Sequence, residues 1–177
     1  AGLKIQCPQG CPSSILGGPT NSNMNQISIT KYNPQVHDHL IEQLTVLLHE
    51  AYGPLAEKGM KYLASHQPPE KTHERLSEGE SYLIFFDKEL IGTVTLYKEK
   101  SDSSCEYYRK KGVYSFGQFA VKPELQGKGV GSQMMDLLET RAQELGAGEL
   151  ALDTSEHAHH LIQMYEKRGY KIVSTTQ

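Results

Sequence analysis

The stretch Gln126-Gly-Lys-Gly-Val-Gly-Ser132 is the part of this sequence best equipped for chemistry. Gly127, Gly129 and Gly131 alternate directly before a run in which Val130, Met134, Leu137, Leu138 and Leu145 share one helical face. Glycine at that density costs a helix backbone entropy, so its presence needs a reason. A helix start offers unpaired N–H groups and partial positive charge, and together these bind phosphate where the backbone can come close. Lys128 adds a charge. The segment therefore reads as a pyrophosphate cradle rather than a bare turn.

Several ligands could use such a cradle. A nucleotide P-loop needs Ser or Thr after its lysine, and Gly129 follows Lys128 here. A dinucleotide fold needs GxGxxG directly after a strand. This spacing is GxGxG, and a Pro123-containing approach precedes it, although Asp153 lies where a ribose-binding acid would fall. Metal chemistry has less support. Cys7 and Cys11 have no second pair, and in His157-Ala-His159-His160 only His157 and His160 share a helix face. No metal is expected.

The chain has 177 residues, 37% hydrophobic and 22% charged, with a net charge of -3. That suits one globular domain. No basic block is long enough to track nucleic acid, and no apolar run approaches the roughly 20 residues of a membrane span. Three irregularly spaced cysteines suit a reducing cytoplasm. Residues 1–23 hold three prolines, one charge and no periodicity, so they read as an added leader or a linker, with Met24 as a start and the domain at 24–177.

The elements that must position the cradle alternate. "QISITKY" reads as a strand. Pro34 opens a helix that Gly53-Pro54 should stop, a weaker helix covers "LAEKGMKYLASH", and Pro69 begins another. "SYLIFF" and "LIGTVTLYK" flank Asp87-Lys88 as a hairpin. "VYSFGQFAV" is a strand, with Gly117 marking a bulge or a close backbone approach. After the glycine helix come the strand "ELALDT", the helix "AHHLIQMYEKR" and the strand "YKIVSTT". The expected fold is mixed α/β, with helices packed on a sheet.

Gln126-x-x-Gly129-x-Gly131 resembles the acyl-CoA signature of the GCN5-related N-acetyltransferases (GNAT family), and "FAVKPELQGKGVGSQMMDLLE" resembles that family's strand, loop and helix throughout. "MYEKRGYKIV" resembles its later helix and strand, so the likeness runs from Gln26 to about Val173. The resemblance implies an acetyl-CoA-dependent N-acetyltransferase acting by direct attack. Backbone groups of Phe119 and Val121 would face the pantetheine amides. The amides of Gln126, Gly127, Lys128, Gly129, Val130, Gly131 and Ser132 would bind the pyrophosphate. Tyr165 matches the family's tyrosine that protonates the leaving thiolate, a role within reach of a phenol of pKa about 10.

The chain also departs from the family pattern. The usual strand glutamate base falls at Gly117, leaving a water chain, His157, Glu106 or a neutral acceptor. The family's helix asparagine falls at Ala158. The last strand, normally inserted between those matching "ELALDT" and "YKIVSTT", is missing. Either the chain is truncated, or another segment or a second subunit, as in a homodimer, fills that place; "LKIQ" is strand-like, without a pattern that assigns it there. The acceptor, a small-molecule or peptide amine, is expected near residues 51–67 and 101–111. The alternative is a non-catalytic acyl-CoA sensor.

Overall fold

The computed structural model describes residues 2–8, 27–60 and 62–176. In chain order the elements are β1 (Gly2–Pro8), β2 (Ile27–Lys31), α1 (Pro34–His37), α2 (Ile41–Glu57), α3 (Pro69–Ser77), β3 (Glu80–Phe86), β4 (Glu89–Tyr97), β5 (Val113–Val121), α4 (Val130–Glu144), β6 (Glu149–Ser155), α5 (His159–Lys167) and β7 (Lys171–Thr176). One seven-stranded sheet runs β2-β3-β4-β5-β6-β1-β7. Among the described strands only the β5/β6 pair is parallel.

Strand alternation splits the core between two faces. Leu83, Leu90 and Ala120 pack with Leu44, Leu47 and Leu48 of α2 and Leu76 of α3. Ile84, Ile91, Val94 and Phe116 pack with Met134 and Leu138 of α4 and with Ile162 and Tyr165 of α5. The β3/β4 hairpin turns at Asp87 and Lys88, both at positive φ, as a tight two-residue connection requires.

β1 pairs antiparallel with β6 through Ile5↔Leu152 and with β7 through Ile5↔Ile172. It occupies the place where the resemblance left a gap, and "LKIQ" is the segment that fills it. Residues 2–8 therefore have partners on both sides despite their unusual composition. Cys11 and Met24 lie outside the described residues.

The start and stop expected of the first helix are corrected. Pro34 opens only the short α1, and α2 then runs through Gly53 and Pro54 to Glu57. Proline forfeits one intrahelical hydrogen bond, and the packing of α2 on the sheet outweighs that loss. The stop is Gly59 at φ 81. Its N–H donates to the Ala56 carbonyl (2.8 Å), and Met60 donates to that of Leu55 (3.1 Å). That two-bond pattern around a left-handed glycine ends a helix firmly. The "weaker helix" is thus the end of α2 followed by a short turn at Leu63–Ser65.

A charge clamp ties α4 to β3. Arg141 grips both oxygens of Glu80 (3.1 and 3.0 Å), and Lys31 and Tyr82 add bonds at 2.9 and 3.1 Å. Led by the Arg141 bond, these donors pull the Glu80 carboxyl down to about 2. A depressed folded pKa stabilises above the unfolded value and is lost as pH falls through the folded one. Glu80→Gln should therefore cost on the order of 1–2 kcal/mol at pH 7, and the difference from wild type should vanish between roughly pH 4.5 and 2. Urea unfolding across that range checks this; a pH-independent difference would contradict it.

Candidate active site

β5 and β6 part company. They pair only at Val113↔Glu149, Tyr114↔Leu150 and Ser115↔Ala151, and beyond these rungs they share no pairing. A bulge in β5 accompanies the parting. Thr93↔Ala120 and Thr95↔Gly117 leave one extra β5 residue, and Gln118 sits there at φ 49. The bulge expected at Gly117 is present, but the left-handed residue is its neighbour. The strain on Gln118 is offset by its buried side chain, which accepts from Gln67 Nε2 (2.9 Å) and donates to Thr95 Oγ1 (3.4 Å). The extra residue also shifts the alternation, so that Phe116 and Phe119 lie on the same side of the sheet, with ring centroids 5.9 Å apart.

Two tyrosines stand across the opening. The Tyr52 hydroxyl donates to the Phe119 carbonyl at 2.9 Å. Tyr62 accepts from the Ser155 N–H at 3.0 Å and lies 3.3 Å from Thr154 Oγ1. Their rings meet at 5.2 Å and 57°. One is thus tied to β5 and the other to β6. These residues went unread in the sequence, where the signal was two tyrosines in a helix-ending segment. Replacing both with phenylalanine should cost about 1–3 kcal/mol, because two backbone groups lose partners. Urea unfolding tests it; a loss below about 0.5 kcal/mol would deny them this bracing role.

Two cavities meet at these tyrosines. The larger, of 410 Å³, runs from Gln126, Gly127 and Gly131 past Phe119 and Val121 to Tyr165. The smaller, of 320 Å³, is lined by residues from both expected acceptor segments, among them Ala64, Ser103 and Tyr108. Tyr52, Tyr62 and Asp153 line both.

The structure brings most of the predicted residues into the larger cleft. Gly129 caps α4 at φ 88, and Gly127 precedes it at φ 75. Gly131 is not left-handed; a Cβ there would lie 3.6 Å from the Phe119 ring. The amides of Gln126 and Lys128 already donate to Pro123 and Leu125, at 3.2 and 3.4 Å. Those of Gly127, Gly129, Val130, Gly131 and Ser132 have no acceptor among the described residues. The Gln126 side chain donates to the Val121 carbonyl at 3.1 Å, pinning the loop to the strand. The partners of Phe119 and Val121 show that both carbonyls point away from β4, into the parting.

Tyr165 is 4% exposed, and its hydroxyl has no hydrogen-bond partner among the described residues. Burial, with smaller effects from Tyr52 and Tyr62, raises its pKa well above the usual phenol range. The helix end positions it. Gly169, at φ 90, donates to Glu166, and Tyr170 donates to the Tyr165 carbonyl at 3.1 Å. The Tyr165 and Tyr170 rings then meet at 5.7 Å, tilted by 56°, in the apolar contact this type of helix stop favours.

Other candidates lie elsewhere. His157 is exposed, 3.6 Å from Glu156, and neither it nor Glu106 lines either cavity. Ala158 is buried as the cap of α5.

β5 and β6 thus part where the glycine-capped α4 begins, and the Acetyltransferase (GNAT) family model matches residues 41–170. The chain belongs to the GNAT family. The S-(2-succino)cysteine N-acetyltransferase of Bacillus subtilis (strain 168) is 30% identical over 73% of this chain and 77% of its own. The S-alkylcysteine N-acetyltransferase of the same organism is 25% identical, covering 73% and 72%. The PaiA N-acetyltransferase of Thermoplasma acidophilum, solved with coenzyme A, shares the fold at a TM-score of 0.67 and 18% identity, over 85% of this chain and 92% of that one. This GNAT protein has no helix among its described residues long and apolar enough to cross a membrane.

Proposed function

We propose that this GNAT protein transfers an acetyl group from acetyl-CoA to the nitrogen of a small-molecule primary amine by direct attack. The observation that carries the reading is the sequence of groups along one cleft. Unpaired amides stand at the start of α4, outward carbonyls on β5, and an unbonded, buried phenol at Tyr165.

Acetyl-CoA fits these residues. The amides of Gly127 and of Gly129 through Ser132 hold the pyrophosphate, aided by the helix dipole. The amides of Gln126 and Lys128 are already engaged, so Gln126 serves by clamping Val121, and Lys128 serves by its charge. Carbonyls of Phe119 and Val121 keep a second lone pair each for the pantetheine amides. An alkyl ammonium of pKa about 10.4 is well under 1% neutral at pH 7, so it must lose a proton before attack. Gly117 supplies no base. Asp153, the carboxylate common to both cavities, receives that proton. The nitrogen then bonds the acetyl carbon, the C–S bond breaks, Tyr165 protonates the departing sulfur, and the second proton shed by the nitrogen returns Tyr165 to its neutral phenol. The curated relatives are named for acetylating cysteine derivatives, which supports a small acceptor over a peptide.

Isothermal titration should show acetyl-CoA binding and no NAD(P) binding. Free-thiol release should then depend on an added amine. Binding without release on any primary amine would favour the acyl-CoA sensor.

A further inference from the structure

The smaller cavity contains an arginine with no carboxylate within ion-pair distance among the described residues. Arg75, on α3, donates from Nη1 to Gln67 Oε1 at 2.6 Å. Gln67 is fully buried and held in turn by Thr72 and Gln118, at 2.8 and 2.9 Å. One edge of the guanidinium is thus fixed by a neutral amide that cannot itself move. On another side, Nη2 lies 3.4 Å from the point where a Cβ on Gly117 would stand, as does Tyr97 Cε2. The guanidinium thus lies against the bare backbone of Gly117, beside the Tyr97 ring.

The contrast with its neighbours is sharp. Lys100 and Glu78, in the same cavity, pair at 3.3 Å. Arg141 and Arg168 each bond carboxylates, Glu80 for the first and Asp136 and Glu139 for the second. Arg75 has no acidic group within ion-pair distance among the described residues. A guanidinium held by one edge in a concave, half-buried site presents its remaining donors as a fork suited to a carboxylate. A phosphate dianion suits the site less, because Glu78 and Asp153 also line it.

We infer that the acceptor is a small amine carrying its own carboxylate, an amino acid in the broad sense, with Arg75 binding that carboxylate. The inference rests on the acetyl-transfer reading. Asp153, on the wall shared with the acetyl-CoA cleft, then faces the amine end, and Arg75 sets the distance at which the nitrogen meets the thioester.

The test is a matched panel of L-amino acids and S-substituted cysteines, each against its decarboxylated amine, followed by thiol release from acetyl-CoA. Wild type should prefer the carboxylate-bearing member of the best pair by about 30-fold in kcat/KM. Arg75→Gln should bring that ratio close to one, mostly through KM for the amino acid, and Arg75→Lys should recover part of it. The ratio does not depend on how much variant is folded, so loss of the Gln67 bond does not confuse it. Equal use of both members by wild type, or an unchanged ratio in Arg75→Gln, overturns the inference alone. No turnover of either class, despite acetyl-CoA binding, overturns the acetyl-transfer reading and this inference with it.

Discussion

Tyr165→Phe is expected to lower kcat by about 100- to 1,000-fold, the range over which a positioned general acid acts, with little change in acetyl-CoA affinity. The phenyl ring would keep the Phe116 and Tyr170 contacts, whose centroids lie 6.2 and 5.7 Å away. The lost hydroxyl bonds nothing among the described residues, so no buried partner is orphaned and stability should hold. Loss of rate without loss of fold or of cofactor binding separates an acid from a packing residue. The pH profile adds a second signature. Burial raises the phenol's pKa, so Tyr165 keeps its proton past the pH at which an exposed tyrosine titrates. Wild-type kcat should accordingly show no alkaline fall near pH 10, the usual phenol midpoint, while the acidic limb, set by deprotonation of the amine, remains. A Tyr165→Phe enzyme within about threefold of wild type would remove the acid from the mechanism.

The legible parts of the site were those encoded locally. The glycine loop announces itself because left-handed turns and a bare helix start demand particular residues within seven positions. Tyr165 is legible only through its family resemblance, whereas the helix stop at Gly169 that positions it is written locally. The hairpin at Asp87-Lys88 followed for the same reason. Failures came where distant packing outweighed a local signal. Gly53-Pro54 looked like a stop, yet α2 continued because its apolar face packs on the sheet, and Gly59 ended it through a bond pattern that composition alone does not show. Tyr52 and Tyr62 matter through bonds to residues 67 and 93 positions away, and Arg75 through Gln67, which Gln118 of β5 holds from 51 positions away. Gln118 likewise acts through distant partners, Gln67 and Thr95, which hold the bulge that re-aims β5. The pairing of β1 between β6 and β7 joins the two ends of the chain, so periodicity could suggest a strand there but not its partners.

The three glycines of the loop should prove unequal in a way their spacing conceals. Gly129→Val is expected to weaken CoA binding by about 100-fold, because a β-branched residue at its φ of 88 costs on the order of 2–3 kcal/mol. The loop can relieve that strain only by turning away the amides of Val130, Gly131 and Ser132. Gly131→Ala should do far less. Its backbone is not left-handed, and the new methyl would meet the Phe119 ring at 3.6 Å, an ordinary contact. The distinction is specific to the pyrophosphate, so acetylpantetheine, which lacks it, should be used almost equally by wild type and Gly129→Val. Titration of CoA into each variant, with acetylpantetheine turnover alongside, reads both halves. If Gly129→Val lost acetylpantetheine and acetyl-CoA turnover to the same degree, the damage would lie in the fold or the acceptor side. The cradle assignment would then fall. If Gly131→Ala matched Gly129→Val in CoA affinity, closeness of approach rather than backbone handedness would be what the loop needs its glycines for.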